Sequence, residues 1–290
     1  MLQKNMSRKN ILSSNEINFY KKNGYLIKKK LIPINIINKI NEKVQFLLNN
    51  KKKTKFFEFL KFGNKKFCVR LKDPHTVDRL FFNLIKYKRI INILNILLKG
   101  SVRFHHSKLN FKPPAQKGSI IDWHQDWAFY PHTNDDLITV GIYLEDCFEI
   151  NGPLKIIPKS HKSKIFNHHE KKFFVGKVNT KKEKIDISKE KKLIGPAGSV
   201  TFHHVRTLHA SSLNMSSHSR PLLLFGYSAV DAWPITYDKG SSIDPNINLK
   251  AYDKLILKGK PILQPRLEKV PIRIPLPRKS DSIYQLQKKN

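Results

Sequence analysis

A short motif around His124 and Asp126 reads Trp-His-Gln-Asp-Trp, so that an imidazole and a carboxylate lie two positions apart. Because side chains alternate along a β-strand, a His-x-Asp pair at a strand end places both groups on one face. A third imidazole, His209, follows far downstream. Two histidines and one carboxylate leave about three coordination positions open on a metal, as non-haem Fe(II) oxygenases require. The pattern predicts an iron site.

Arg220, which follows His209 by eleven residues, adds a second kind of chemistry. A guanidinium presents parallel N–H donors that can hold a carboxylate through two hydrogen bonds. Arg206 lies between the histidines and is the alternative anchor, but Arg220-Pro221 opens a strand expected to run beside that of His209. We therefore expect Arg220 to bind a carboxylate, and the whole set predicts an oxygenase that uses iron and 2-oxoglutarate.

Length and composition favour one globular domain. The chain has 290 residues, of which 40% are hydrophobic and 10% aromatic, enough to bury a substantial core. Its two cysteines, Cys68 and Cys147, are too few for a disulfide framework and favour a reducing compartment. The longest apolar stretch is too short to span a bilayer, and the N-terminus lacks the apolar region of a secretory signal. We expect a cytoplasmic protein, with an organelle transit peptide at the N-terminus as the alternative.

The charge of the chain is strongly positive, because 55 Lys and Arg residues stand against 22 Asp and Glu, a net +33. Such a charge can indicate a nucleic-acid partner or an anionic substrate. Only ten of the 55 are arginine, however, and the lysines run through every segment. Proteins that read specific bases depend on arginine forks, and no nucleic-acid-binding motif is present. We therefore expect no specific nucleic-acid partner.

The type of secondary structure that the sequence predicts changes near residue 101. Before it, apolar spacing predicts helices over about 34–48 and 84–98, and a shorter helix capped by Ser14-Asn15. After it come short strands separated by Gly, Pro, Asn and Asp. The lysine-rich stretch 167–192 is expected to be an exposed loop or short helix. Many short strands with long connections favour a mainly β fold with flanking helices, a jelly roll or barrel.

Composition also suggests three segments. We expect a flexible N-terminal tail over 1–14, a catalytic domain over 15–245 and a basic C-terminal segment over 246–290. Proline cannot donate to a β-ladder and fixes its own φ, so extended backbone is expected where prolines recur. In the last segment they are Pro261, Pro265, Pro271, Pro275 and Pro277.

Two further motifs accompany the metal residues: a stretch at 151–162 that begins Asn-Gly-Pro-Leu and ends Ser-His-Lys, and Gly-Ser-Val-Thr-Phe-His at 198–203. With the His-Gln-Asp motif, His209 and Arg220, they resemble the phytanoyl-CoA dioxygenase family of Fe(II)- and 2-oxoglutarate-dependent oxygenases over roughly 16–233. The resemblance implies a double-stranded β-helix, the cupin-like jelly roll. It also implies that Arg220 holds the distal carboxylate of 2-oxoglutarate, with Fe(II) on His124, Asp126 and His209.

Three more residues match positions that contact co-substrate or substrate in that family, namely Thr139, Lys108 and Arg70. Thr139 could donate its hydroxyl to 2-oxoglutarate, whereas the alternative for Arg70 is an ion pair at the surface. The implied reaction consumes O2 and 2-oxoglutarate and hydroxylates an unactivated C–H of a small-molecule or acyl substrate. Succinate and CO2 are released.

The remaining histidines compete with this assignment. One of His203 and His204 is expected to face the barrel interior. The others are expected near the metal ligands or on the surface (His105, His106 and His132) or in solvent (His168 and His169). Two rival functions would use only part of the pattern. A cupin-type isomerase or a non-enzymatic metal-binding protein has no need of Arg220. A basic nucleic-acid-binding module has no need of the metal residues.

Overall fold

Antiparallel strands make up most of the structure, a computed structural model that describes residues 11–50, 55–114, 119–236 and 245–287. The helices are α1 Ser14–Asn23, α2 Ile34–Asn49, α3 Pro74–Val77, α4 Arg79–Leu84, α5 Lys88–Leu97, α6 Pro245–Asp253 and α7 Ile283–Leu286. The strands are β1 Tyr25–Lys28, β2 Phe57–Phe62, β3 Lys65–Lys72, β4 Val102–Lys112, β5 Ile121–His124, β6 Leu137–Tyr143, β7 Leu154–Ile156, β8 His169–Glu170, β9 Phe173–Phe174, β10 Lys191–Leu193, β11 Val200–His204, β12 His209–Ser211, β13 Arg220–Ser228 and β14 Ile256–Lys258.

Two sheets form the walls of a barrel. The main sheet has the order β1-β11-β6-β13-β4-β3-β2, with β14 also paired to β4, and the smaller sheet has the order β10-β7-β12-β5. Every pairing in the two sheets is antiparallel, and most neighbouring strands, although not β2 and β3, are distant in sequence. This arrangement is the predicted double-stranded β-helix, so the expected mainly β fold with flanking helices is confirmed.

The helices cover the outer face of the main sheet. Apolar residues at helical spacing, such as Ile40 and Val44 in α2 and Ile93 in α5, pack against strand residues that include Val140 and Phe225. Since the smaller sheet covers the opposite face, β6 and β13 are buried along their whole length. One face of these central strands therefore belongs to the apolar core, and the other is free to carry polar groups into the barrel.

The expected N-terminal helix and the helix expected over 84–98 begin at residues other than those expected. Ser13, and not Ser14-Asn15, caps α1: its hydroxyl accepts from the backbone N–H of Glu16, whose carboxylate accepts from the N–H of Ser13. The helix expected over 84–98 is α5, which begins only at Lys88, and Leu84 instead ends a separate helix, α4. They are separate because Tyr87, with φ −59° and ψ 115°, leaves the helical region.

The lysine-rich stretch 167–192 and the C-terminal segment contain more regular structure than expected. The first contains β8, β9, the start of β10 and a 3-10 turn at Ile187–Lys189. The second begins with α6, adds β14 to the main sheet and ends in α7. Of the expected N-terminal tail only residues 11–14 lie within the described ranges, and Leu12 is buried in the core. The three segment boundaries stay a prediction.

No helix in the described part of the chain is long and apolar enough to cross a membrane.

Candidate metal and co-substrate site

The three expected metal ligands converge on the inner side of the smaller sheet. His124 ends β5, and His209 begins β12 directly opposite it in the strand pair. Asp126 lies beyond the strand, where it opens a 3-10 turn, and not on the strand face as the spacing alone suggested. The Nε2 atoms of both histidines lie 3.8 Å from Asp126 Oδ1. One ligand atom from each residue lies within 4.8 Å of the others, a spacing that could hold one metal ion.

Backbone hydrogen bonds set the tautomers of both imidazoles. The Nδ1 of His124 donates to the carbonyl oxygen of Asp122, and the Nδ1 of His209 donates to that of Thr207, each at 2.8 Å. Each Nε2 is therefore left with a lone pair directed at the position between the three ligands. This arrangement, in which the second ring nitrogen is held by a backbone carbonyl, is usual for metal-binding histidines.

Burial and neighbouring charges set the protonation states that a metal needs. Desolvation lowers the pKa of His209 to about 4 and the pKa of His124 well below its ordinary value, so both imidazoles are neutral at pH 7. Desolvation alone would raise the pKa of Asp126. The neighbouring imidazoles and the Lys108 ammonium outweigh it, and the pKa of this carboxyl lies well below its ordinary value. The donor set fits a divalent ion.

Thr139 and His203 contact the outer oxygen of the Asp126 carboxylate. The hydroxyl of Thr139 donates to Asp126 Oδ2 at 2.7 Å, and the Nε2 of His203 lies 3.6 Å from the same oxygen. The structure thus gives Thr139 a position that orients a metal ligand, while its expected contact with 2-oxoglutarate stays a prediction. Of the adjacent histidines, His203 faces the barrel, as expected of one of them. His204 instead lies beside Asp135.

A cavity of about 60 Å³ extends from the metal ligands between the two sheets. Arg220 lies in its wall, where its Nε donates to the carbonyl oxygen of Asn151 and its Nη2 donates to that of Gly152. Arg206, the alternative anchor, is not among the lining residues, and its guanidinium pairs with Asp135 at 2.8 Å. The lining residues include Lys108, Asn110, Lys112, Thr139, His203, Ser211, Arg220 and Tyr284.

Of the other two candidate co-substrate residues, Lys108 and Arg70, only the first is among the residues that line the cavity. Lys108 lines the cavity, and its burial lowers the pKa of the ammonium while Asp126 raises it. Arg70 is not among the lining residues and pairs with Glu58 at 2.8 Å across the β2–β3 strands. That ion pair is the alternative considered for Arg70, although it is more buried than a surface pair.

The sequence analysis missed several lining residues, among them Lys112 and Tyr284. Lys112 belongs to the alternating set with Lys108 and Asn110 on β4, so period-two spacing could have identified it. Tyr284 comes from α7, at the far end of the C-terminal segment. Nothing in its local sequence indicates that it reaches the cavity, because that depends on how the segment folds back.

The expectation that His168 and His169 are solvated is wrong, because both are buried. The Nδ1 of His168 donates to the carbonyl oxygen of Phe166, and its Nε2 accepts from the backbone N–H of Gln125 at 2.9 Å. This histidine therefore fixes the backbone next to Asp126. The polar, lysine-rich neighbourhood concealed a buried position because the segment folds back over the end of β5.

A further group of polar rings, which we call the imidazole cluster, consists of His105, His106, Tyr130 and His132. The ring centres of His105 and His106 each lie 5.1 Å from that of Tyr130, and His132 lies 5.0 Å from His105. The Tyr130 hydroxyl lies 3.5 Å from that of Thr139. His132 is 0% exposed, and its Nε2 has no hydrogen-bond partner among the described residues. His132 is buried, and His105 and His106 are half-buried.

Comparisons with known proteins agree with this geometry. The model of the family described as phytanoyl-CoA dioxygenase matches residues 20–222. A probable alpha-ketoglutarate-dependent hypophosphite dioxygenase of Stutzerimonas stutzeri is 37% identical over 254 residues, which cover 86% of this chain and 82% of that protein. An L-proline trans-4-hydroxylase of Streptomyces griseoviridis is 29% identical over 188 residues, 55% of this chain and 67% of that protein.

Solved structures show the same fold at lower identity. EctD from S. alaskensis in its apoform superposes with a TM-score of 0.65 at 20% identity, over 77% of this chain and 79% of that one. The non-heme alpha ketoglutarate dependent carbocyclase SnoK from nogalamycin biosynthesis superposes with a TM-score of 0.64 at 20% identity, over 87% and 93% of the two chains. Together with the family match, these findings show that the chain belongs to the phytanoyl-CoA dioxygenase family and is a 2-oxoglutarate-dependent dioxygenase that uses Fe(II) and O2.

Proposed function

We propose that the protein transfers one oxygen atom of O2 to an unactivated C–H of a small polar molecule and the other to 2-oxoglutarate, which leaves as succinate and CO2. His124, Asp126 and His209 would hold Fe(II), and Arg220 would hold the distal carboxylate of 2-oxoglutarate. The observation that carries this proposal is one buried cavity whose wall contains both the three metal ligands and the Arg220 guanidinium. A metal-binding barrel without this co-substrate has no use for that guanidinium.

The bound iron supplies the activation of O2, and the surrounding residues supply geometry and protonation state. The neutral imidazoles bind metal without first losing a proton, and Thr139 holds the Asp126 carboxylate so that its other oxygen faces both of them. The carbonyl oxygens of Asn151 and Gly152 fix the plane of the Arg220 guanidinium. Leu222 and Leu224 contribute apolar surface to the cavity wall.

The size and polarity of the substrate are part of the proposal. The names of the two curated relatives refer to hypophosphite and L-proline, both small and charged. The cavity is small, about 60 Å³, and polar side chains such as Lys108, Asn110 and Ser211 line it, which suits a small polar ligand better than a long acyl chain. Hypophosphite is the second candidate, supported by the 37% identical relative. In that case a P–H bond takes the place of the C–H bond, and phosphite is the product.

Succinate formation tests the proposal. Purified protein with Fe(II) and 2-oxoglutarate is incubated with hypophosphite, L-proline and a panel of other small polar compounds. Succinate is measured together with phosphite by phosphorus NMR or a hydroxylated product by mass spectrometry. We expect one compound to raise succinate formation in step with its own oxidation. If protein loaded with Fe(II) and 2-oxoglutarate formed no succinate in any preparation, the assignment to this reaction would be contradicted.

We also propose that the protein works in the cytoplasm. Cys68 and Cys147 are both free, and burial raises the pKa of each thiol, to about 12 for Cys68. Thiols held in the protonated form and left unpaired are in keeping with a reducing compartment.

A further inference from the structure

Two cations lie opposite each other in the wall of the cavity. Lys112 ends β4 and Arg220 begins β13, and the two residues are direct partners in the antiparallel pair. Both side chains line the cavity, and both residues are only 4% exposed. Directly opposed residues in antiparallel strands have Cβ atoms about 5 Å apart, and like charges at such positions are destabilising.

Neither cation has a carboxylate partner among the residues that the structure describes. The Nζ of Lys112 donates to the carbonyl oxygen of Ser119 at 2.7 Å, and Arg220 donates only to backbone carbonyls. Burial, followed by the proximity of Arg220 and then Lys155, lowers the pKa of Lys112 well below its ordinary value. Burying a charge without a partner is costly, so an anion bound here would favour the charged form of Lys112 and offset its repulsion with Arg220.

One turn of the chain supports both cations. Gly152 has φ +74°, and its carbonyl oxygen accepts from Arg220. A Cβ added at this glycine would lie 2.2 Å from the Cδ of Lys112. The glycine therefore leaves room for the aliphatic stem of Lys112 while its backbone orients Arg220, so the same turn places both cations beside one cavity.

We infer that Lys112 and Arg220 together form the binding site for the distal carboxylate of 2-oxoglutarate, with Lys112 as the second cation. The inference rests on the proposed function, because it concerns the same cavity and co-substrate. A carboxylate bound between the two cations satisfies donors from both and removes the repulsion between them. The site should consequently select 2-oxo acids with a second carboxylate over those without one.

Replacing Lys112 with methionine tests this inference, since Lys112→Met keeps the stem and removes the charge. The anaerobic Fe(II) protein is titrated with 2-oxoglutarate and with 2-oxobutyrate, which lacks the distal carboxylate, and the metal-to-ligand charge-transfer band is followed. Loss of a hydrogen bond to a charged group weakens binding by roughly one to two orders of magnitude. We expect about 10–100-fold weaker binding of 2-oxoglutarate and unchanged binding of 2-oxobutyrate.

Two controls separate this role from a structural one. Lys155→Met removes a nearby ammonium that pairs with Glu190 at 2.8 Å and does not line the cavity, so both titrations should match those of the wild type. Thermal unfolding of metal-free Lys112→Met should occur at the wild-type temperature or above it, because the repulsion from Arg220 is gone. Lys112→Gln, which is also uncharged, should repeat the loss of 2-oxoglutarate binding.

The outcomes are distinguishable. Unchanged 2-oxoglutarate binding in Lys112→Met and Lys112→Gln would overturn the inference and leave the proposed function standing. Equal loss of both 2-oxo acids would show that Lys112 supports the whole cavity, and would also overturn the inference. A wild-type Fe(II) protein that forms no charge-transfer band with 2-oxoglutarate would contradict the proposed function and the inference with it.

Discussion

The carboxylate of Asp126 lies next to all the other residues of the candidate metal site. Its Oδ1 faces both ligand imidazoles, while its Oδ2 accepts from Thr139 and lies near His203. The backbone just before it is fixed by the bond from the N–H of Gln125 to His168. A single side chain thus combines the negative charge that a divalent metal requires with a position set by several neighbours.

Asp126→Ala should abolish hydroxylation and weaken iron binding, because the anionic ligand is lost from a set of three. Succinate formation and iron content of the purified variant are the measurements. Asp122→Ala is a suitable control, since the bond from His124 goes to the backbone carbonyl of Asp122 and not to its side chain. Near-normal turnover by Asp126→Ala, with iron occupancy unchanged, would refute the metal assignment.

Arg220→Ala should weaken 2-oxoglutarate binding by at least ~100-fold and leave iron binding nearly intact. Removing one partner of a buried charged pair costs about 3–5 kcal/mol, and each factor of ten in affinity corresponds to about 1.4 kcal/mol. Arg220→Lys should recover part of the loss, since an ammonium lacks the parallel donors. The anaerobic titration measures this. If Arg206→Ala abolished the band while Arg220→Ala left it unchanged, the wrong arginine would have been chosen.

The turn that precedes β11 connects the main sheet to the helices. The N–H of Gly198 donates to the carbonyl oxygen of Tyr143 at 2.9 Å, and its own carbonyl oxygen accepts from the N–H of Ile32 at 3.0 Å. Gly198 has φ +81°, and an added Cβ would lie 2.2 Å from the Ile32 oxygen. Glycine is required here both by the left-handed backbone and by the close approach of the two segments.

Gly198→Ala should therefore destabilise the protein more than Gly63→Ala. Gly63 also has a positive φ, +59°, but no atom lies within 4 Å of its added Cβ. The left-handed conformation costs an L-residue about 1–2 kcal/mol at either position, and the contact with the Ile32 oxygen adds about 1–3 kcal/mol at Gly198 only. Urea unfolding of the two variants measures the difference. Equal loss of stability would show that the contact relaxes without cost.

Neutral histidines, buried or half-buried, occur throughout the molecule and are not confined to the metal site. Burial is the largest cause that lowers the pKa of His75, His168 and His209, each to about 4. In the unfolded chain an ordinary histidine has a pKa of about 6.5. Between these values the unfolded chain binds more protons than the folded one. The stability that these groups contribute is therefore complete above about pH 6.5 and is lost as the pH falls towards 4.

The free energy of unfolding should accordingly fall between pH 6.5 and pH 4, by up to about 1.36 kcal/mol per pH unit for each such histidine. His75→Gln removes one of these groups from outside the metal site, so its stability should depend less steeply on pH than that of the wild type. Urea midpoints of the metal-free protein across this range provide the test. If the urea midpoints of the two proteins depended on pH with the same slope, the folded structure would not hold His75 in the neutral form.

Patterns that are local in sequence predicted a large part of the molecule. Alternation and turn residues after residue 101 indicated the β-barrel, and apolar spacing located α2 because an amphipathic helix needs only its own residues to be recognised. The candidate metal ligands His124 and Asp126 were predicted in the same way, since they are two positions apart and their residue types restrict the chemistry. The third candidate ligand, His209, lies far downstream, and the family resemblance supported its choice among the other histidines.

What the tertiary structure decided depends on contacts between distant parts of the chain. Only the pairing of β4 with β13 brings Lys112 opposite Arg220, and only the position of α7 places Tyr284 at the cavity. The cavity wall likewise distinguishes Arg220 from Arg206. Sequence spacing defines which side chains share a face of one strand, but not which strands become neighbours or where the C-terminal segment returns. Residue types and local periodicity therefore determined the fold class and the kind of chemistry, whereas long-range pairing determined which charges meet inside the barrel.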